Sequence, residues 1–160
     1  MIKSVLSKNK KIAILFSVIL TSVASLCFIA GMNDQDWLTW GNKCLAQSFD
    51  PSADVKIKKW ELVLTDDSFI RLRKIYQNGK QEYFSFYLQK LEDMDYIGNV
   101  NVGILQLRAK ADDIIVQTYN DRQGNVDSMA NVLTIPVKNM EPERLDSLRA
   151  ALNYFKAKNL

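Results

Sequence analysis

The chain is poor in the residues that do chemistry. It has no histidine, which removes the commonest general base at neutral pH and the commonest transition-metal ligand. Its two cysteines are Cys27 and Cys44. Cys27 lies in an uncharged run, so Cys44 stands alone in the remainder and has no internal disulfide partner there. Its plainer role is that of a small buried apolar residue. No Gly-x-Ser-x-Gly elbow and no glycine loop for phosphate is present. The sequence assigns no catalytic residue, no metal ligand and no cofactor.

Three constellations remain. The first is the run Asn120-Asp121-Arg122-Gln123-Gly124-Asn125-Val126-Asp127, with oxygen ligands at alternate positions. Calcium loops space oxygens in this way, but Gly124 comes one place too early for an EF-hand and no bidentate Glu follows. A polar hairpin loop is the reading. The second is Glu92, Asp93 and Asp95. Paired-carboxylate catalysis needs one partner raised in pKa by burial, and so polar a run reads as a solvated acidic loop. The third is the aromatic set Trp60, Tyr76, Tyr83, Tyr87 and Tyr96 with Arg71 and Arg73. Tyr, Trp and Arg are enriched where proteins meet. Arg71, Arg73, Tyr83 and Tyr87 form the candidate partner surface if their face is open. The competing expectation is that a helix covers it.

These residues must be carried by some framework, and the periodicity supplies one. Residues 34–54 read as a short amphipathic helix and linker. Asn33 or Asp34 can cap it, and Trp37, Trp40, Cys44, Leu45 and Phe49 share one face. Trp37 and Trp40 follow an apolar segment directly, where indoles favour the membrane interface. Packing on the domain is the alternative. Asp50 and Pro51 end the helix.

From Val55 the period becomes two. Residues 55–64 form a strand with Trp60, Leu62 and Leu64 on one face and a bulge near Lys58 and Lys59. Residues 69–76 and 81–91 form a hairpin across Gln77, Asn78, Gly79 and Lys80. A three-residue loop with Gly79 left-handed pairs Ile70 with Phe86, Leu72 with Phe84, Arg73 with Tyr83 and Lys74 with Glu82. That register keeps one face apolar and sets opposite charges across the strands. Strands over 100–110, 114–119 and 129–137 follow, the last ending at Pro136 or lying at an edge. A closing helix opens at Glu141 and Pro142 and buries Leu145, Leu148, Leu152 and Phe155. The fold class is α+β: an antiparallel sheet of about five strands with the C-terminal helix packed on it. Residues 55–160 make this domain.

The function of the whole is set by residues 12–33, which carry no charge. Their length suits a bilayer core of about 30 Å. Residues 1–11 are a basic tail with Lys3, Lys8, Lys10 and Lys11, while Asp34 and Asp36 lie on the far side. Lysine favours the cytoplasmic face, so the body of the chain is sent outward. The segment reads as a transmembrane anchor or as a signal segment cleaved after Ala24 or Ala30. A third version lipidates Cys27, although Leu26 is bulky for that site. All 18 acids lie after Asn33, as do all but four of the 21 bases. The exported part is near neutral, with no basic face for nucleic acid.

The expectation is a non-enzymatic, membrane-tethered bacterial envelope protein. It is single-pass in the inner membrane, with its β-rich domain in the periplasm or outside and a protein partner there. An accessory subunit of a membrane or secretion complex fits this description. The alternative is a cleaved, secreted or periplasmic small-ligand carrier with its pocket between sheet and terminal helix.

Overall fold

The computed structural model describes residues 31–54 and 56–158. The basic tail and most of the uncharged segment lie outside the described residues. Among the described residues no helix is long and apolar enough to cross a membrane. The chain divides into two units, Met1–Asp36 and Trp37–Leu160. In the first, Asn33 Oδ1 accepts the Asp36 N–H at 2.9 Å and the Asp36 carboxylate accepts the Asn33 N–H at 3.2 Å. This reciprocal capping box opens helix α1, Asp34–Ser48.

The second unit is α+β, as its periodicities require. Among the described residues eight strands follow α1: β1 Ile57–Leu64, β2 Phe69–Tyr76, β3 Gln81–Tyr87, β4 Leu91–Gly98, β5 Val102–Ala109, β6 Ile114–Tyr119, β7 Asp127–Ala130 and β8 Val132–Lys138. Helix α2, Pro142–Ala157, closes the chain with Pro142 in its first turn and Lys156 in its last. A five-stranded antiparallel sheet has the order β1-β2-β3-β6-β7, and a separate three-stranded one the order β4-β5-β8.

The bulged hairpin register is the observed one. Ile70 pairs with Phe86, Leu72 with Phe84, Arg73 with Tyr83 and Phe69 with Tyr87. Gly79 has φ +88°, the left-handed conformation that the loop demands. Lys74 stands opposite Glu82, yet no ion pair forms between them. Glu82 takes Lys80 at 3.0 Å and the Tyr76 hydroxyl at 2.8 Å, while Lys74 lies over the Phe84 ring. The bulge in β1 falls between Ile57 and Lys59.

The second sheet departs from the sequence reading. The acidic loop is strand β4: Leu91 and Met94 are buried, and Glu92 and Asp93 are exposed across a register shift. A bulge puts two successive polar residues outward and erases the alternation that marks a strand. Asp95 meets Arg108 at 3.1 Å and Asp93 meets Arg149 at 3.6 Å. The single strand expected over 129–137 is two. The chain changes sheets at Asn131, with β7 on β6 and β8 on β5. Pro136 does not end β8, which lies at a sheet edge where the missing donor costs no ladder bond.

The inner faces of both sheets are buried. Leu62, Leu64, Ile70, Leu72, Phe86 and Ile114 come from one, and Leu105, Leu107, Leu133, Ile135 and Val137 from the other. Leu148, Ala151, Leu152 and Phe155 of α2 complete the core. A fully buried side chain of this size contributes roughly 1.5–3 kcal/mol. One steric and one polar device set α1 beside β1. Gly41 allows close approach, since a Cβ there would meet Leu64 Cδ2 at 3.3 Å. The Asn42 amide accepts the Leu64 N–H at 2.7 Å and donates to the Leu64 carbonyl at 2.8 Å, as a neighbouring strand would. After α1, Phe49 bridges to Val137 and packs tilted on Trp60 at 4.3 Å. Asp50 accepts from the Ser52 hydroxyl at 2.6 Å and the Ser52 N–H at 3.0 Å, capping a turn at Pro51–Ala53.

Asn42→Ala leaves two backbone groups of β1 without that partner. It should lower unfolding free energy by about 1–3 kcal/mol in urea titrations. The Asp50 carboxyl is held below its ordinary 3.8, first by the Ser52 hydroxyl. The folded state therefore binds that proton less readily than the unfolded chain. Its stabilisation is present above the unfolded value and is lost as pH falls through the lower folded one. The stability gap between the native protein and Asp50→Asn should be largest at neutral pH and shrink below about pH 4. Urea midpoints measured from pH 7 downward check this.

Candidate functional site

The outward face of the five-stranded sheet carries the candidate surface. Alternation along β2 and β3 sends Leu72, Phe84 and Phe86 inward and Arg71, Arg73, Tyr83 and Tyr87 outward. The four sequence-predicted residues thus share one face. Arg73 lies over the Tyr83 ring at 5.1 Å and Arg71 over the Phe69 ring at 5.0 Å. Phe69 meets Tyr87 edge-on at 4.5 Å, and Tyr83 meets Tyr119 edge-on at 5.3 Å. Gln81 Oε1 accepts from Arg73 Nη2 at 2.9 Å and from the Tyr83 hydroxyl at 3.0 Å. Ring faces hold the guanidinium groups by cation–π attraction, which leaves the Arg71 edge free while Arg73 spends Nη2 on Gln81.

Neither helix covers this face. Tyr87, Tyr119 and Met129 keep 50 %, 44 % and 51 % of their surface exposed. The helices lie elsewhere, with their apolar residues in the core. Trp37 is buried, stacked on Tyr154 of α2 at 5.8 Å and edge-on to Trp40 at 6.5 Å. Packing within the domain therefore accounts for Trp37, and the half-buried Trp40 is the indole with surface left over.

The wider aromatic set does not gather on one surface. Trp60 points to the other side of its strand, against Phe49. Tyr76 lies at the hairpin end, where burial and then the Glu82 carboxylate push its phenol up. Tyr96 belongs to the three-stranded sheet and donates to the Asn99 carbonyl. Ile115, Tyr119 and Met129 were not foreseen. They join the face because β6 pairs with β3 and β7 with β6 across long sequence gaps. Their own alternation was the available signal, but it does not name the strand beside them.

The loop resembling a calcium site spends its oxygens on itself. Asp121 accepts the Gln123 N–H at 3.0 Å and pairs with Lys80 at 2.9 Å, and Asn125 Oδ1 accepts the Asp121 N–H at 3.2 Å. The backbone and Lys80 bonds hold the Asp121 carboxyl below its ordinary range. Among the described residues no group of three His, Cys, Asp or Glu side chains converges on one point. An apolar cleft of about 450 Å³ lies on the three-stranded sheet, with Ile97, Val102, Ile104 and Pro136 in its wall.

Comparison with models of protein families, with curated proteins and with solved structures finds no match to this chain.

Cys44 is free and buried between the helices, and burial pushes its thiol up against the lowering influence of Arg144 and Ser48. A protonated, enclosed thiol is a poor nucleophile. Iodoacetamide should alkylate Cys44 in the native full-length protein at least ~10-fold more slowly than in denaturant. Peptide-level mass spectrometry reads Cys44 separately from Cys27.

Proposed function

We propose that the chain is a membrane-tethered envelope protein whose β-rich domain binds a protein partner, as an accessory subunit of a membrane or secretion complex. The observation that carries the reading is the open sheet face bearing Arg71, Arg73, Tyr83 and Tyr87. Aromatic surface left in water on a small domain is unfavourable unless something else is gained. Tyr and Arg are also the residue types that dominate binding energy at interfaces. Phe69, Ile115, Tyr119 and Met129 extend the apolar part of the patch. Tethering supports the reading because the uncharged run 12–33, with lysines on one side only, directs the domain outward. A tether raises the local concentration of the domain at the membrane, so modest affinity suffices.

The ligand carrier is the weaker reading. Its expected pocket between sheet and terminal helix is filled by Leu148, Ala151, Leu152 and Phe155, each buried.

Crosslinking in intact cells, followed by purification of the full-length protein from solubilised membranes, tests the proposal. Tyr87→Glu with Met129→Glu should reduce recovery of the crosslinked partner at least ~10-fold, because charge is placed on exposed contact residues. The thermal midpoint should move little, since neither side chain is core. Ile97→Glu, on the other sheet, should leave recovery intact. Equal recovery from all three proteins would remove the proposed role of this face.

A further inference from the structure

We propose that the cleft between β1 and β3 on the open face recognises a carboxylate, so that the protein partner docks through an acidic side chain. This rests on the reading that the face binds a protein. The cleft measures about 250 Å³ and is lined by Glu61, Val63, Thr65, Arg71, Arg73 and Tyr83.

The donors left in it are guanidinium N–H groups. Arg71 is exposed and has no hydrogen bond or ion pair among the described residues, only the Phe69 ring beneath it. Arg73 spends Nη2 on Gln81, and its Nε is enclosed without a hydrogen-bond partner. That nitrogen is sealed from the cleft, so Nη1 is the part of Arg73 left to meet a ligand. The neutral groups are already engaged. The Thr65 hydroxyl bonds Asp67 and the Phe69 backbone, and the Tyr83 hydroxyl donates to Gln81. The cleft therefore selects an anion over a neutral polar group.

Its shape and charge select a carboxylate among anions. A planar guanidinium fork matches two carboxylate oxygens side by side. The rings fix both guanidinium planes beforehand, which lessens the entropy lost on binding. Glu61 stands across from Arg73 on the adjacent strand but forms no ion pair with it among the described residues. Its charge opposes a phosphate dianion more than a monoanion. The Phe69–Tyr87 and Tyr83–Tyr119 ring pairs flank the cleft and suit apolar neighbours of the acidic residue.

The test uses the full-length protein in detergent micelles, with arginine labelled with nitrogen-15, and follows the Nε–Hε signals by NMR. The probes are capped hexaglutamate, capped hexaglutamine and inorganic phosphate. Hexaglutamate should shift the Arg71 and Arg73 signals saturably, and hexaglutamine should not. Arg71→Gln should weaken hexaglutamate at least ~10-fold, the scale of losing a charge-assisted bond. Glu61→Gln should tighten it, and substitution of the exposed Arg122 in the 120–127 loop, Arg122→Gln, should leave it unchanged. Arg71 and Glu61 are exposed, so these variants fold.

An unshifted Arg73 signal, equal response to hexaglutamine or phosphate, or full affinity in Arg71→Lys would each overturn the carboxylate site. If hexaglutamate fails while Tyr87→Glu with Met129→Glu still abolishes partner recovery, the docking face stands and the carboxylate site falls. If hexaglutamate binds but those substitutions leave recovery untouched, the docking reading falls and takes this proposal with it.

Discussion

One backbone conformation divides this domain into inside and outside. Gly79 turns left-handed at the tip of the central hairpin and adds one residue to the loop. That residue fixes Leu72 against Phe84 and Arg73 against Tyr83. In a sheet the side-chain period is two, so a slip of one place inverts every face. Arg71 and Arg73 would then enter the core, where an unpaired charge costs several kcal/mol. The apolar core and the cationic, aromatic exterior thus follow from the same turn.

The exterior holds itself in a particular shape. Gln81 is a shared acceptor, with Arg73 and Tyr83 both donating to its side-chain oxygen. Rings lie beneath both arginines, and the tyrosines brace each other edge-on. Contacts of this kind are worth about 0.5–1.5 kcal/mol each. They stabilise little by themselves, but they restrict long side chains that otherwise sample many rotamers. A surface with its rotamers restricted beforehand gives up less entropy when a partner arrives.

Local features were legible in the sequence and non-local ones were not. Asn-Gly between two alternating runs marks the hairpin, the apolar match across it selects the bulged register, and Pro142 with the Leu148–Leu152–Phe155 stripe sets the last helix. Both signals lie within a few residues of what they determine. The second sheet left no such trace. Its strand β4 alternates imperfectly because the bulge places Glu92 and Asp93 outward together. The change of sheet at Asn131 occurs inside one apolar run, where nothing in the pattern marks a corner. For the same reason Arg71, Arg73, Tyr83 and Tyr87 could be placed together from two adjacent strands. Ile115, Tyr119 and Met129 could not, because the strands that bring them are distant in sequence. Residue type alone groups Trp60 with these aromatics, and its parity sends it to the opposite side.

Among the described residues each edge strand is partly occupied, short or charged. On β1 the Asn42 amide takes both outward backbone groups of Leu64, and farther along come Lys58 and Lys59. Strand β4 bears Glu92, Asp93 and Asp95, and β7 is only four residues long. Strand β8 contains Pro136, whose carbonyl accepts the Asp50 N–H at 2.9 Å. Free, flat margins are what allow one β domain to zip onto the next. With so little on offer, copies of this domain can crowd side by side with less tendency to template a continuous fibre, and contacts between molecules fall mainly to side chains.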